Sequence, residues 1–397
     1  MINNILLSGG WGYGNLGDDA LLEASVRILR EFYPRSKITI MSYNPSESDG
    51  RGCEVVPSLH RAIYGRRAFK FLRIYGKTWN YDKYPALIAR IINKVKSILE
   101  HCLPKSDTLL NSFKMNKSEM KQYQEVFQNA DMFVMSGGGY FNNWEDSFNS
   151  RYMELQFAKE ANIPIYICGQ TIGPLTENQT KIITPFLQMV KGIYVRDIES
   201  KKDLNAMGCT PLIAPDLALS YVGNGMLSDS ICIIPAEYPV VVRDELVKAT
   251  QLITKRYNIP VVLTATRLYN RDINCLREIY VKLKSLGINV KMVIPKDYEE
   301  LKNTIKGHKY VISRNLHGLI LGWREGSRCL CLCNERKFIS FMKQIGREDS
   351  IVDVYSAKAA DISKMFINLT TLNENHVEIQ KSIAEEVIKA CKETFKI

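Results

Sequence analysis

Three residues in the C-terminal third of the chain have the right types to hold a small anion and move a proton. Arg314 and His317 lie three apart in Tyr310-Val311-Ile312-Ser313-Arg314-Asn315-Leu316-His317-Gly318-Leu319, and Lys337 follows in Asn334-Glu335-Arg336-Lys337. Two cations and one imidazole that titrates near neutral pH suit a phosphorylated or carboxylated ligand, with the imidazole free to give or take a proton. The plainer alternative is a structural histidine at a helix start beside a solvated arginine.

The elements that must position these groups are readable around them. A β-branched run ends at Ser313, and an apolar pattern with helical spacing (Leu316, Leu319, Ile320, Trp323) begins at once. This predicts a strand-to-helix junction whose unpaired N–H groups and positive dipole end favour an anion. A separation of three puts Arg314 and His317 on one face of the first turn. Lys337, after the next strand, is expected to reach the same crevice.

The N-terminal half repeats this organisation with glycine. Ile5-Leu6-Leu7-Ser8 runs into Gly9-Gly10-Trp11-Gly12-Tyr13-Gly14-Asn15-Leu16-Gly17-Asp18-Asp19, then a helical pattern through Leu21, Leu22, Val26, Ile28 and Leu29. Gly12, Gly14 and Gly17 match G-x-G-x-x-G formally. The second strand, Ile38 to Met41, ends in Ser42-Tyr43-Asn44, where a dinucleotide fold needs an acidic residue for the ribose, and Asp18 and Asp19 repel a pyrophosphate. The loop is therefore a close-approach site for something other than NAD, with carboxylates suited to sugar hydroxyls. Two more glycine stretches follow the strands Met132–Met135 and Ile163–Cys168: Ser136-Gly137-Gly138-Gly139-Tyr140-Phe141-Asn142 and Gly169-Gln170-Thr171-Ile172-Gly173-Pro174. Loops at successive strand ends mark the ligand-binding edge of an open parallel sheet, although tight βα turns alone would also use glycine.

Strands alternate with helices throughout, so the fold class is α/β. At 397 residues the chain exceeds what one core usually holds, and two Rossmann-like parallel-sheet domains are expected. Residues 1–222 form the first, with a basic, aromatic insert at about 60–105. Residues 226–370 form the second, and a helix over 371–397 packs back on the first. The insert carries eleven Lys and Arg from Arg61 to Lys105 against Asp82 and Glu100, interleaved with seven Tyr, Phe and Trp, much of the net charge of +11. That composition suits anionic lipid head groups or a solvated helical insert, and no motif supports nucleic acid. No uncharged apolar run is long enough to span a bilayer, and no signal peptide is visible. The ten cysteines include no C-x-x-C pair, so free thiols in a reducing cytoplasm are expected and a metal site is not.

Taken together, Gly9 to Asp18, Gly137-Gly138-Gly139, Gly169 to Pro174, Val195-Arg196-Asp197, Leu316-His317 and Lys337 resemble the polysaccharide pyruvyl transferase family in type and order. The resemblance runs from the first strand to about Gly346. It implies a GT-B-like arrangement of the two domains around a cleft, residues 1–222 on the acceptor side and 226–370 on the donor side. The activity it implies is transfer of the enolpyruvyl skeleton of phosphoenolpyruvate onto two hydroxyls of a sugar as a ketal, releasing phosphate. His317 and Lys337 fall on the family's catalytic positions. The family's arginine two residues before the histidine is replaced here by Asn315. Either Arg314 reaches the phosphate instead, or Arg196 or Arg336 replaces it, or the donor differs. The donor-side set is thus Arg314, Asn315, Arg196, Arg336 and Ser313, and the acceptor-side set Asn15, Asp18, Gly138, Asn142 and Gln170, the latter with capping and loop bracing as equal alternatives. No cofactor or metal is expected, phosphoenolpyruvate being a substrate. The acceptor is a saccharide of a cell-surface polysaccharide or its undecaprenyl-linked precursor, reached from the cytoplasmic face with peripheral membrane contact through the insert. A GT-B glycosyltransferase using a nucleotide-sugar and a non-catalytic glycan- or membrane-binding relative remain as alternatives.

Overall fold

A computed structural model describes residues 2–45, 51–60, 117–333, 335–371 and 376–397. The basic, aromatic insert expected at about 60–105 lies, beyond His60, outside the described residues, as does Asn334.

The first sheet begins with β1 (Asn4–Ser8), which passes through the glycine loop into α1 (Leu16–Phe32), β2 (Lys37–Ser42) and β3 (Glu54–Pro57). It continues through α2 (Lys117–Gln128), β4 (Met132–Met135), β5 (Gly138–Phe141), α3 (Glu145–Glu160), β6 (Ile165–Ile172), α4 (Glu177–Leu187), β7 (Gly192–Val195), α5 (Ile198–Ala206) and β8 (Leu212–Ile213). Its strands are parallel in the order β3-β2-β1-β4-β6-β7-β8, with β5 also paired to β6. A segment without a strand or α-helix, crossing Tyr221, leads to the second sheet. That sheet comprises β9 (Ser228–Ile234), α6 (Val240–Tyr257), β10 (Val261–Leu263), α7 (Asn270–Ser285), β11 (Val290–Met292), α8 (Tyr298–Ile305), β12 (His308–Ser313), α9 (Leu316–Arg324) and β13 (Arg328–Cys331). Its order is β11-β10-β9-β12-β13, again all parallel. Then come α10 (Arg336–Gln344), α11 (Ala359–Thr370) and α12 (His376–Phe395).

Both strand orders reverse direction beside their first strand, between β1 and β4 and between β9 and β12. In such sheets the crevice outside the carboxyl ends at the reversal is where ligands bind. The glycine loop after β1 and the Ser313–His317 junction after β12 occupy those two places.

The apolar patterns explain how the halves join. The near-continuous hydrophobic strands are covered on both faces, as parallel sheets require. One core runs from Ile5, Leu21 and Leu29 of the first half to Val311, Leu319, Ile320 and Trp323 of the second. Every residue of α9 is buried, because the helix lies between its own sheet and α1. α12 packs on the first sheet: Phe395 lies 5.2 Å from the Tyr166 ring, and a Cβ at Gly192 would stand 2.1 Å from the Thr394 carbonyl oxygen. Cys329, Cys331 and Cys333 share the joined core.

Two readings are corrected. The second and third glycine stretches are not loops throughout: Gly138–Phe141 of the second forms β5, and β6 continues through the third to Ile172 and pairs with β5. Gly169 supplies the reason, since its φ of +72° shifts the register against β7 while the strand runs on.

Candidate active site between two helix starts

The first turns of α1 and α9 face each other across the domain junction. A Cβ at Gly17 would stand 2.6 Å from both Cβ and Nδ1 of His317, so only glycine permits this approach. The loop before α1 is tied to the second half by its backbone. Leu16 donates its N–H to the Thr266 carbonyl at 2.8 Å, Leu268 donates to the Gly14 carbonyl at 2.7 Å, and Asn15 pairs with Arg267 as an isolated antiparallel bridge. Two helix N-termini therefore converge, each presenting the positive end of its dipole.

His317 is 7% exposed, and its Nε2 has no hydrogen-bond partner among the described residues. Its Nδ1 lies 3.6 Å from Asp18 Oδ1. Burial pulls the imidazole pKa down to about 4, aided by the Arg196 and Lys337 charges against the pull of Asp216, so the ring is neutral at neutral pH. Asp18 moves the opposite way. Burial, with the Asp19 charge beside it, pushes its carboxyl up to about 7 despite Arg196 and a hydrogen bond with the Asn15 side chain. A buried carboxyl poised near neutrality next to an imidazole with one unpartnered nitrogen is suited to proton transfer.

Beside this pair lies a small pocket whose polar wall includes Thr171, Arg196 and Asp216 from the first half and Lys337, Ser340 and Gln344 from α10. Arg196 is aimed by an ion pair with Asp216, by Nε–H donation to Thr171 Oγ1 at 2.9 Å, and by its carbonyl, which accepts from Gln344 Nε2 at 2.8 Å. Burial works against its charge, but the Asp216 carboxylate, Asp197 and Tyr140 together outweigh it and raise its pKa. Lys337 keeps 48% of its side chain exposed and stands 3.9 Å from Glu335. Loss of water around its ammonium, with Arg196 nearby, lowers its pKa against the pull of Glu335. Arg336 turns away to pair with Asp197, the N-cap of α5, and thereby links the two halves.

The remaining candidates sort by what they touch. Arg314 does not share a helical face with His317, because α9 begins at Leu316 and Arg314 precedes its N-cap. Its guanidinium lies over the rings of Tyr238 (5.6 Å) and Tyr355 (5.3 Å) and 3.4 Å from Glu335. Asn315 makes no side-chain cap, and its N–H goes to Ser313 Oγ at 2.8 Å; Ser313 in turn donates to the Asn315 carbonyl at 3.0 Å. Asn142 folds on its own loop, donating to the Gly139 carbonyl and accepting from Trp144 N–H. Gln170 donates to the Ser136 carbonyl at 2.9 Å, leaving Oε1 buried and without a partner among the described residues. Gly138, at φ +132°, opens β5 beneath Tyr140, whose hydroxyl accepts from Gly10 N–H at 2.8 Å. A Cβ at Gly10 would meet both that hydroxyl and Asp18 Oδ2. Tyr140, Thr171, Asp216 and Gln344 were not singled out from sequence. Thr171 sits inside a glycine motif, but nothing local distinguishes Asp216 or Gln344.

A family model for polysaccharide pyruvyl transferase matches residues 15–331. No curated protein matches the chain. Among solved structures, it is similar to a putative UDP-N-acetylglucosamine 2-epimerase from Listeria monocytogenes, with 12% identity, 100% of this chain and 97% of that one covered, and a TM-score of 0.58. It is also similar to UDP-GlcNAc 2-epimerase from Neisseria meningitidis bound to UDP-GlcNAc, with 10% identity, 98% and 100% covered, and a TM-score of 0.57. At such identity the likeness concerns the fold, which is GT-B-like: two parallel-sheet α/β domains facing across a cleft.

Proposed function

The chain belongs to the polysaccharide pyruvyl transferase family, and from that premise we propose that it moves pyruvate from phosphoenolpyruvate onto two hydroxyls of a sugar. The observation that carries this reading is the buried, unpartnered Nε2 of His317 beside Asp18, Arg196 and Lys337 at two opposed helix starts. Arg196 and Lys337 bind the phosphate and carboxylate of the donor. Arg196 thereby takes the part that Asn315 cannot, since Asn315 carries no charge and Arg314 is held between two tyrosines.

In the reaction one acceptor hydroxyl forms a C–O bond to C2 of phosphoenolpyruvate while C3 gains a proton and becomes a methyl group. The C2–O bond to phosphate then breaks, and the second hydroxyl captures the oxocarbenium carbon. Of the two hydroxyl protons, one is balanced by the methyl group and the other leaves with phosphate. Asp18, its carboxyl pushed up to about 7, supplies or relays the proton through His317. Arg196 and Lys337 offset charge as phosphate departs, worth about 3–4 kcal/mol per well-placed donor in comparable sites. No step calls for a cofactor or metal, and the acceptor is a saccharide of a cell-surface polysaccharide or its lipid-linked precursor. No helix among the described residues is long and apolar enough to cross a membrane. Contact with the inner face of the plasma membrane through the basic insert belongs to this proposal.

The test is phosphate release from phosphoenolpyruvate with a panel of lipid-linked galactosyl, mannosyl and N-acetylhexosaminyl acceptors, on the wild type and His317→Ala. Acceptor-dependent release lost in the variant supports the reading. Absence of release, together with no rise in melting temperature at millimolar phosphoenolpyruvate, overturns it. Thermal stabilisation by UDP-sugars instead would favour nucleotide-sugar chemistry.

A further inference from the structure

The pyruvyl-transfer reading leaves unused a cluster of rings at the same edge of the first sheet. Trp11 and Tyr13 leave the glycine loop in opposite directions. Trp11 is fully buried and donates Nε1–H to the Met41 carbonyl at 2.8 Å, anchoring the loop. Tyr13 remains 43% exposed. Its ring centroid stands 4.4 Å from Tyr43, 6.1 Å from His60 and 6.2 Å from Tyr269, each nearly perpendicular to it. Tyr43 follows β2, His60 follows β3 and Tyr269 opens α7, so three loops of the first half and one of the second build the cluster. Exposed aromatics scattered singly need no explanation, but rings converging from both sides of a ligand cleft do.

The cluster is continuous with the proton-transfer pair. Leu268 and Arg267 hold the loop between Tyr13 and Asp18, and the Tyr269 hydroxyl, raised by burial, also feels the charges of Asp18 and Tyr13. A pyranose ring offers an apolar C–H face with a hydroxyl rim. A tyrosine held by its neighbours matches that with a large, rigid, amphipathic surface at low entropic cost. We propose that Tyr13, with Tyr43, His60 and Tyr269 around it, is a second sugar subsite, so that the acceptor presents at least two linked pyranose rings: one offers its hydroxyl pair to Asp18 and His317, and its neighbour rests on Tyr13. This deepens the proposed function and rests on its saccharide acceptor.

The experiment measures sugar binding without donor, by saturation-transfer NMR and equilibrium titration. The probes are methyl β-glycosides of galactose, mannose and N-acetylglucosamine and the β-linked disaccharides built from them, tested on wild type, Tyr13→Ala, Tyr13→Phe and His317→Ala. In the wild type at least one disaccharide should bind about tenfold more tightly than its monosaccharide, the gain expected for one aromatic contact. Tyr13→Ala should remove that ratio at unchanged melting temperature, while Tyr13→Phe and His317→Ala keep it. Equal affinity for mono- and disaccharides, or a ratio that survives Tyr13→Ala, overturns the subsite and leaves pyruvyl transfer standing. Binding of none of these sugars overturns the saccharide reading and this inference with it.

Discussion

Two carboxylates on α1 face α9, equally buried, and come to opposite ends. Asp18, in the first turn, has 14% of its side chain exposed; Glu23, farther along, has 17%. Glu23 accepts hydrogen bonds from the hydroxyls of Tyr221 and Tyr298 and, at 2.9 Å, from Lys302 Nζ, with Arg324 3.7 Å away. Burial alone would raise its pKa, but these partners hold it at about 2. Asp18 is as little exposed but has fewer partners and lies beside a like charge, and its burial pushes it up to about 7. The opposing residues diverge in parallel: Arg324 is buried over the Tyr221 ring at 4.3 Å, while His317 keeps an unpartnered nitrogen. Partner sets as well as depth separate a clamp that fastens two domains from a candidate site. Natural sequences leave polar groups unsatisfied mainly where function needs them.

The largest effect that would sharpen this contrast is at His317. His317→Ala should lower acceptor-dependent phosphate release by about 10³-fold, the range of general acid–base catalysis, with melting temperature unchanged or slightly higher. A comparable loss of stability would mean that His317 belongs to the clamp after all. Glu23→Gln is the mirror experiment. It leaves Lys302 and Arg324 facing each other without their anion, and chemical denaturation should show a loss of about 2–3 kcal/mol, the cost of breaking a buried pair discounted for its partial exposure. Turnover at a temperature where the variant is folded should fall less than tenfold.

The pH dependence separates the two ends by sign. Between about pH 4 and 6.5 the native state holds a proton on Asp18 that the unfolded chain has lost, so this group makes stability fall as pH rises. Over the same interval native His317 is neutral while the unfolded imidazole is charged, so it makes stability rise. The two slopes offset each other in the wild type. Asp18→Asn should expose the rising slope and His317→Ala the falling one, each at most about 1.4 kcal/mol per pH unit, read from denaturant midpoints across that range. Glu23 acts elsewhere: its contribution is complete above about pH 4.5 and is lost as pH falls toward 2. Glu23→Gln should abolish that acid limb and leave the slopes above about pH 5.5 untouched.

What a local reading of the sequence can reach follows from the same contrast. Strands such as Met132–Met135, Gly192–Val195 and Val261–Leu263 were legible because apolar runs between turn residues are local signals. The Leu316–His317 helix start was legible for the same reason. The clamp was not, since the partners of Glu23 lie at Tyr221, Tyr298, Lys302 and Arg324, and nothing near Glu23 announces them. Asp18 reads locally as an ordinary first-turn acid; only the second domain closing over it takes away its water. Asn15 reads as a hydroxyl-binding loop residue, yet its backbone is committed to Arg267 across the junction. Gly169 reads as a turn, and only the neighbouring β5 and β7 reveal a strand with a shifted register.

The smallest expected effect concerns the arginine that spacing alone favours. Arg314 stands next to Asn315 and three residues before His317, and a helical turn there would aim it at the donor. The backbone does not allow this: Asn315 is extended at φ −108° and ψ 123°, and Arg314 donates its N–H to the Ile234 carbonyl at 3.2 Å. Its side chain is then captured by Tyr238, Tyr355 and Glu335. Arg314→Ala should therefore change KM for phosphoenolpyruvate less than threefold. It should cost roughly 1 kcal/mol or less in stability, the scale of a partly exposed cation–π pair. Arg196→Lys should raise that KM by one to two orders of magnitude, because a single ammonium cannot hold Asp216 and Thr171 and still present a planar fork to the donor. If Arg314→Ala proved the more damaging of the two, the donor would lie on the Tyr238 side of the junction, and the contrast drawn along α1 and α9 would have to be redrawn around Glu335.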